Sequence, residues 1–191
     1  MSEKLYNILK QYQRVAIAFS GGTDSTLLAS AALKTLGRDN VLLLFADSAF
    51  TPGAERAFAL KWAREHDFQL IVIEFAPLEL EAVAVNDHER CYYCKKAIFS
   101  EAMKIAGEQG FSILCDGTNT DDYGDYRPGL KACNELGVKH PLADAGMNKQ
   151  AVRELSKELG NANWDRPASA CLASRIPCGR RLEAGLLKKA D

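Results

Sequence analysis

The chain has 191 residues, 47% of them hydrophobic and 26% charged, and its 24 Lys and Arg against 25 Asp and Glu leave a formal net charge of −1. That length and mix suit one compact globular domain, or one with a short appendage, and exclude a disordered chain because a large core can be buried. A near-neutral charge argues against a chain whose main business is wrapping nucleic acid, and no apolar run approaches the roughly 18–20 residues of a membrane span.

The opening segment, MSEKLYNILKQYQR, is polar and amphipathic and does not read as a signal peptide. A cytoplasmic protein is expected, with no nucleic-acid or membrane partner. Its six cysteines, Cys91, Cys94, Cys115, Cys133, Cys171 and Cys178, are then mostly reduced. In that setting a close pair points to metal binding or chemistry before it points to a structural staple.

Taken in chain order, residues 3–12 have helical spacing. VAIAFS (15–20) is a short apolar run ending in a Gly pair, as a buried parallel strand does. Residues 24–36 form a second helix, with Asp24 near its N-cap and Gly37 past its end. VLLLFAD (41–47) is a strand, 52–66 a helix with Pro52 near its first turn, and QLIVIEF (69–75) a third strand. Residues 92–108 are helical, SILCDG (112–117) is a fourth strand, and 148–159 is an amphipathic helix. This alternation predicts an α/β fold, a doubly wound, mostly parallel sheet with helices on both faces. Ser20, Asp47 and Asp116 all fall at strand carboxyl ends, where open α/β sheets bind ligands. From about 161 the pattern weakens into a loop with two prolines and many reactive side chains, a kind of segment that is often functional. The lone helix over about 182–190 is a poor domain ending and points to a C-terminal region beyond Asp191. The expected organisation is a nucleotide domain over 1–160, then a cysteine-bearing substrate loop and the start of that further region over 161–191.

Ser20-Gly21-Gly22-Thr23-Asp24-Ser25-Thr26 follows a strand and opens a helix. Two glycines allow close backbone approach, the helix N-terminus favours an anion, and Ser20, Ser25 and Thr26 add hydroxyl donors. Asp24 suits a magnesium–phosphate unit or a helix cap. No Lys follows the glycines, so this is not the Walker loop. The segment resembles the SGGxDS loop of the PP-loop ATP pyrophosphatases, which cleave ATP between the α and β phosphates to adenylate an acceptor. The resemblance implies an ATP site that takes in Ala18 and Phe19 at the strand end, the loop from Ser20 to Thr26, and Ala46, Asp47 and Ser48 beside the adenosine. Gly117 and Thr118 belong to it as a second Gly-bearing turn, and Mg2+ would sit at Asp24.

Cys91-Tyr92-Tyr93-Cys94 precedes Lys95-Lys96. Two thiolates so spaced chelate a metal or cluster, or form a redox pair with a thiol pKa lowered by the lysines; the plain alternative is two buried structural cysteines. Two thiolates do not close a site, and Cys171, in the loop-like region, is the third candidate. Arg175 beside it would favour a thiolate and could hold a phosphate or carboxylate. Cys178 is a weaker candidate, and Cys115 and Cys133 read as core.

RCYYCKKAIF, DGTNTDDYGDYRPGLKA, HPLADAGMNKQAVRELSKELG and WDRPASACLASRIPCG together resemble the LarE family. Its members are ATP-dependent sulfur transferases that help build the nickel-pincer nucleotide cofactor of lactate racemase. The resemblance implies a small-molecule nucleotide substrate, pyridinium-3,5-biscarboxylic acid mononucleotide, whose carboxylate is adenylated before sulfur replaces AMP. One type of member gives up the sulfur of the cysteine at the Cys171 position, leaving dehydroalanine. The other holds a [4Fe-4S] cluster on three cysteines, and Cys91, Cys94 and Cys171 match that type. Ser174 and Arg175 are implied substrate contacts, and Arg127 a contact to a phosphate. Family members continue into a C-terminal region with substrate-phosphate and oligomer contacts, so a homo-oligomer is expected. Trp164 and Tyr126 read as packing, and His66, His88 and His140 have no partner at metal-ligand spacing. Competing readings are a tRNA-thiolating enzyme, an ammonia-using ligase of the NAD or GMP synthetase kind, and a nucleotide sensor without turnover.

Overall fold

A computed structural model describes residues 1–124, 128–167 and 169–191. The element order is α1 (Ser2–Tyr12), β1 (Val15–Ala18), α2 (Thr23–Leu36), β2 (Val41–Asp47), α3 (Gly53–Glu65), β3 (Gln69–Glu74), α4 (Glu81–Ala84), α5 (Arg90–Glu108), β4 (Leu114–Cys115), α6 (Pro128–Leu136), α7 (Pro141–Asp144), α8 (Lys149–Glu158) and α9 (Ala184–Ala190). The four strands run parallel in the order β3-β2-β1-β4.

Strand alternation sorts the core onto two faces. Val15, Ile17, Val41, Leu43 and Phe45 pack with helices α1, α2, α3 and α8. Ala16, Leu42 and Leu44 face the other way, onto α5 and α6. The expected doubly wound α/β sheet is the one formed. Leu5 and Leu9, one turn apart on α1, are fully buried, each worth about 1.5–3 kcal/mol.

Local chemistry adjusts the expected boundaries. β1 stops at Ala18, where Phe19 donates its amide to Leu44 O (2.9 Å) and the chain leaves the sheet. Gly22 is the α2 N-cap, in extended conformation, with Asp24 close by in the first turn. β4 shrinks to two residues, flanked by β1 and a single bridge to Lys139. Asn148 caps α8 by accepting the Ala151 amide at 2.9 Å. The stretch after 161 is irregular apart from one turn of 3₁₀ helix at Leu172–Arg175, then α9. It packs as an integral part of the fold: Leu172, Ala173, Ile176, Leu182 and Leu187 bury against Phe50 and Val83. No helix among the described residues is long and apolar enough to cross a membrane.

Candidate active site

β1 and β4 are neighbours whose following chains depart in different directions, so a crevice opens between their carboxyl ends. A cavity of about 690 Å3 occupies it. One end is the phosphate loop. Gly21 has φ +77°, and a Cβ there would stand 2.9 Å from Ala59 Cβ on α3, so only glycine fits both the angle and the approach. The loop holds itself together through hydroxyls: Ser25 donates to Gly22 O (3.1 Å), and the Ser20 and Gly22 amides donate to Ser25 Oγ and Ser20 Oγ, both at 3.3 Å. The first amides of α2 have no acceptor within the helix, which makes this end receptive to an anion.

Ala18, Phe19, Ser20, Asp24 and Ser25 line the cavity, as do Ala46 in β2, Ser48 just after it, and Gly117 and Thr118 after β4. Asp47 turns away to pair with Arg56 at 2.7 Å. Thr26 is fully buried, and its Oγ1 accepts from Asn163 Nδ2 at 3.0 Å behind the loop, so it is a strut and not a ligand donor. Asp24 is already engaged by Lys149 Nζ at 2.5 Å and Asn119 Nδ2 at 3.2 Å. Gly117 lets the β4 turn lie on the phosphate loop: a Cβ would be 2.8 Å from Ser25 N.

Asp116, at the end of β4, is buried, accepts from His140 Nδ1 (2.7 Å) and the Thr118 amide (3.0 Å), and lines the cavity. Burial alone would raise its pKa, but the His140 hydrogen bond and the nearby Lys95 charge outweigh it and hold the carboxyl below its ordinary value.

The other end of the cavity carries the thiols. Cys91, Cys94 and Cys171 all line it, two from the start of α5 and one from a loop some eighty residues on. Burial pushes the Cys94 thiol up to about 12, aided by the Cys171 and Cys91 sulfurs, and overrides the opposing Lys95 charge. Burial also raises Cys171. The lysines therefore do not give the expected low pKa, and Lys96 is turned outward onto Tyr92 and Glu135. Among the described residues no group of three or more His, Cys, Asp or Glu is gathered tightly enough for a single ion. Three thiols on one cavity are soft donors of the kind that zinc or an iron–sulfur cluster takes.

The guanidinium beside these thiols belongs to Arg90. It donates to Asn86 Oδ1 (2.5 Å), Ala173 O (2.9 Å), Ser174 Oγ (3.2 Å) and Cys91 Sγ (3.4 Å), tying the Cys171 loop to the start of α5. Arg175, expected in that place, donates to Ala190 O at 2.6 Å. Arg127 and Tyr126 lie outside the described residues. Cys115 is buried as expected. Cys133 is buried too, yet its side of α6 borders the cavity. Exposed Cys178 sits 3.8 Å from His88 Nδ1. Arg90, Lys149, Asn163 and the His140–Asp116 pair were not visible as partners in the sequence; the one local signal was Arg90 abutting the CxxC pair.

No protein-family model matches the chain. It is 40% identical, over 91% of its length, to pyridinium-3,5-bisthiocarboxylic acid mononucleotide synthase of Lactiplantibacillus plantarum, and it spans 63% of that protein. It is 33% identical to the uncharacterized protein slr1717 of Synechocystis sp., over 98% of this chain and 69% of that one. A glutamine-hydrolyzing GMP synthase polypeptide of Methanococcus vannielii is 30% identical over 84% of the chain, which covers 55% of that polypeptide. With a phosphate loop and three thiols on one cavity of a parallel α/β sheet, and with these relatives, the chain belongs to the LarE family of the PP-loop ATP pyrophosphatases.

Proposed function

We propose that this chain is an ATP-dependent sulfur transferase acting on pyridinium-3,5-biscarboxylic acid mononucleotide, in maturation of the nickel-pincer cofactor of lactate racemase. The observation that carries the reading is that the phosphate loop and Cys91, Cys94 and Cys171 line the same cavity. The relative from L. plantarum is named for a bisthiocarboxylic product of this kind. A substrate carboxylate oxygen attacks the α-phosphorus of ATP, and pyrophosphate leaves onto the loop at Gly21–Ser25, whose amides and hydroxyls offset its charge. Sulfur then attacks the acyl carbon, and AMP departs with the former carboxylate oxygen. Asp24 would hold Mg2+ once Lys149 yields it.

Cys91, Cys94 and Cys171 would hold a [4Fe-4S] cluster. Held by three protein thiolates, it would keep one iron open and would supply an exchangeable sulfide. Arg90 keeps the Cys171 loop against α5 so that the three thiols stay together. The protein is read as a cytoplasmic homo-oligomer, the latter checked by light scattering.

The test is anaerobic purification with iron and acid-labile sulfide analysis, followed by turnover with ATP and the dicarboxylate nucleotide. Iron lost in both Cys91→Ala and Cys171→Ala, and a product in which sulfur replaces oxygen, are expected. Loss of hydrogen sulfide from Cys171 in a metal-free protein would instead identify a sacrificial cysteine. ATP-dependent amidation indifferent to all three cysteines would identify an ammonia-using ligase, as the GMP synthase resemblance allows.

A further inference from the structure

One face of α5 lines the cavity from end to end. Cys91, Cys94, Lys95, Ile98, Phe99 and Ala102 recur at helical spacing and all border it. Lys95 therefore stands one turn beyond Cys91, about 6 Å along the axis, on the way from the thiols to the strand ends. Its stem is pressed by Gly129 of α6, where a Cβ would come within 2.9 Å of Lys95 Cγ. Its ammonium lies 4.5 Å from the centre of the Phe99 ring. Glycine on one side and an aromatic face on the other direct the charge along the cavity.

Among the described residues that line the cavity there are two cations, Arg90 and Lys95. Arg90 is spent on Asn86, Ala173, Ser174 and Cys91. Lys95 has no carboxylate partner among the described residues. Asp116, a carboxyl whose pKa the Lys95 charge lowers, is already taken by His140 and the Thr118 amide. A cation held over an aromatic ring in a cavity, with no carboxylate partner among the described residues, suits an anion that comes from outside.

We propose that the Lys95 ammonium binds the carboxylate of the acceptor substrate, holding it between the phosphate loop and the thiols. This rests on the sulfur-transfer reading above. Attack of a carboxylate on the α-phosphorus brings two anions together, and a cation between them offsets the repulsion. After pyrophosphate has left, the same ammonium faces the acyl oxygen on which charge gathers as sulfur adds to the carbon.

The experiment is equilibrium binding to the whole, anaerobically purified protein, wild type against Lys95→Met and Lys95→Arg. The probes are ATP, pyridinium-3,5-biscarboxylic acid mononucleotide and its neutral diamide counterpart. The expected result is that Lys95→Met loses about tenfold or more in affinity for the dicarboxylate and less than about twofold for ATP and the diamide, with Lys95→Arg recovering most of the loss. Equal losses for all three probes, or no loss, would overturn the assignment of Lys95 and leave the reaction untouched. A wild-type protein that binds ATP but not the dicarboxylate nucleotide would sink the substrate assignment, and the Lys95 site with it.

Discussion

Arg90 and Ser174 stand 84 positions apart in the chain, and the guanidinium of one reaches the hydroxyl of the other at 3.2 Å. The same guanidinium meets the fully buried Asn86. Replacing Arg90 with Met leaves Asn86 Oδ1 and Ala173 O without their donor, at a cost of about 2–4 kcal/mol. Urea unfolding should show that loss, and trypsin should cut sooner after Arg175. An unchanged midpoint with unchanged cleavage would refute the strut.

Gly117→Ala puts a methyl 2.8 Å from Ser25 N and 3.0 Å from Asp24 Cβ. The β4 turn and the phosphate loop must then part. ATP affinity should fall by about tenfold or more, with a stability loss of about 1–3 kcal/mol. Calorimetric titration with a non-hydrolysable ATP analogue checks it; wild-type affinity would mean that the contact relaxes freely.

Asp24→Asn removes the carboxylate that Lys149 now holds at 2.5 Å. If Asp24 serves Mg2+, half-saturation by magnesium rises by about tenfold. A magnesium titration of pyrophosphate release reads this directly, and a superimposable curve would assign Asp24 to Lys149 alone.

Cys94 and Cys178 should separate on alkylation. With burial holding Cys94 up to about 12, its thiolate is about one part in 10⁴ at pH 8. Iodoacetamide at that pH should label exposed Cys178 well before Cys94 in metal-free protein, as mass mapping would show. A folded pKa above the unfolded 9.0 also means that this thiol's contribution to stability is intact below pH 9 and is lost as pH climbs toward 12.

Asp116 has the opposite sense. His140 and Lys95 keep its folded pKa below the ordinary 3.8, so its contribution is present above that pH and disappears as pH falls through the lower, folded value. His140→Leu, which leaves a buried carboxylate without its main partner, should cost about 3–5 kcal/mol at pH 7. The gap to wild type should narrow in acid unfolding below about pH 4; a gap that stays constant would point to lost packing instead.

What was readable in the sequence was what is local. Strands β1, β2 and β3 are uninterrupted apolar runs, and the phosphate loop is a contiguous strand, turn and helix. Helices α4 and α7, of four residues each, carry no periodicity to read; packing and chain reversal make them. The cysteines announced themselves by type and spacing. Their guanidinium did not, because Arg175 is near Cys171 in sequence while Arg90 is near it in space. Lys149 reaches Asp24 across 125 positions, which no spacing rule anticipates.

Asn163 fastens the phosphate loop to the segment that leads to Cys171. Its side-chain amide donates to Gly21 O and Thr26 Oγ1, both at 3.0 Å, and its backbone carbonyl accepts from Thr23 Oγ1 at 2.9 Å. The segment that leads to Cys171 thus begins on the back of the phosphate loop. Such bonds melt together, so the arm that carries Cys171 cannot outlast the phosphate loop when the protein breathes. In hydrogen exchange the amides of 161–166 and of 20–26 should open as one cooperative unit, and a nucleotide that protects the second set should protect the first.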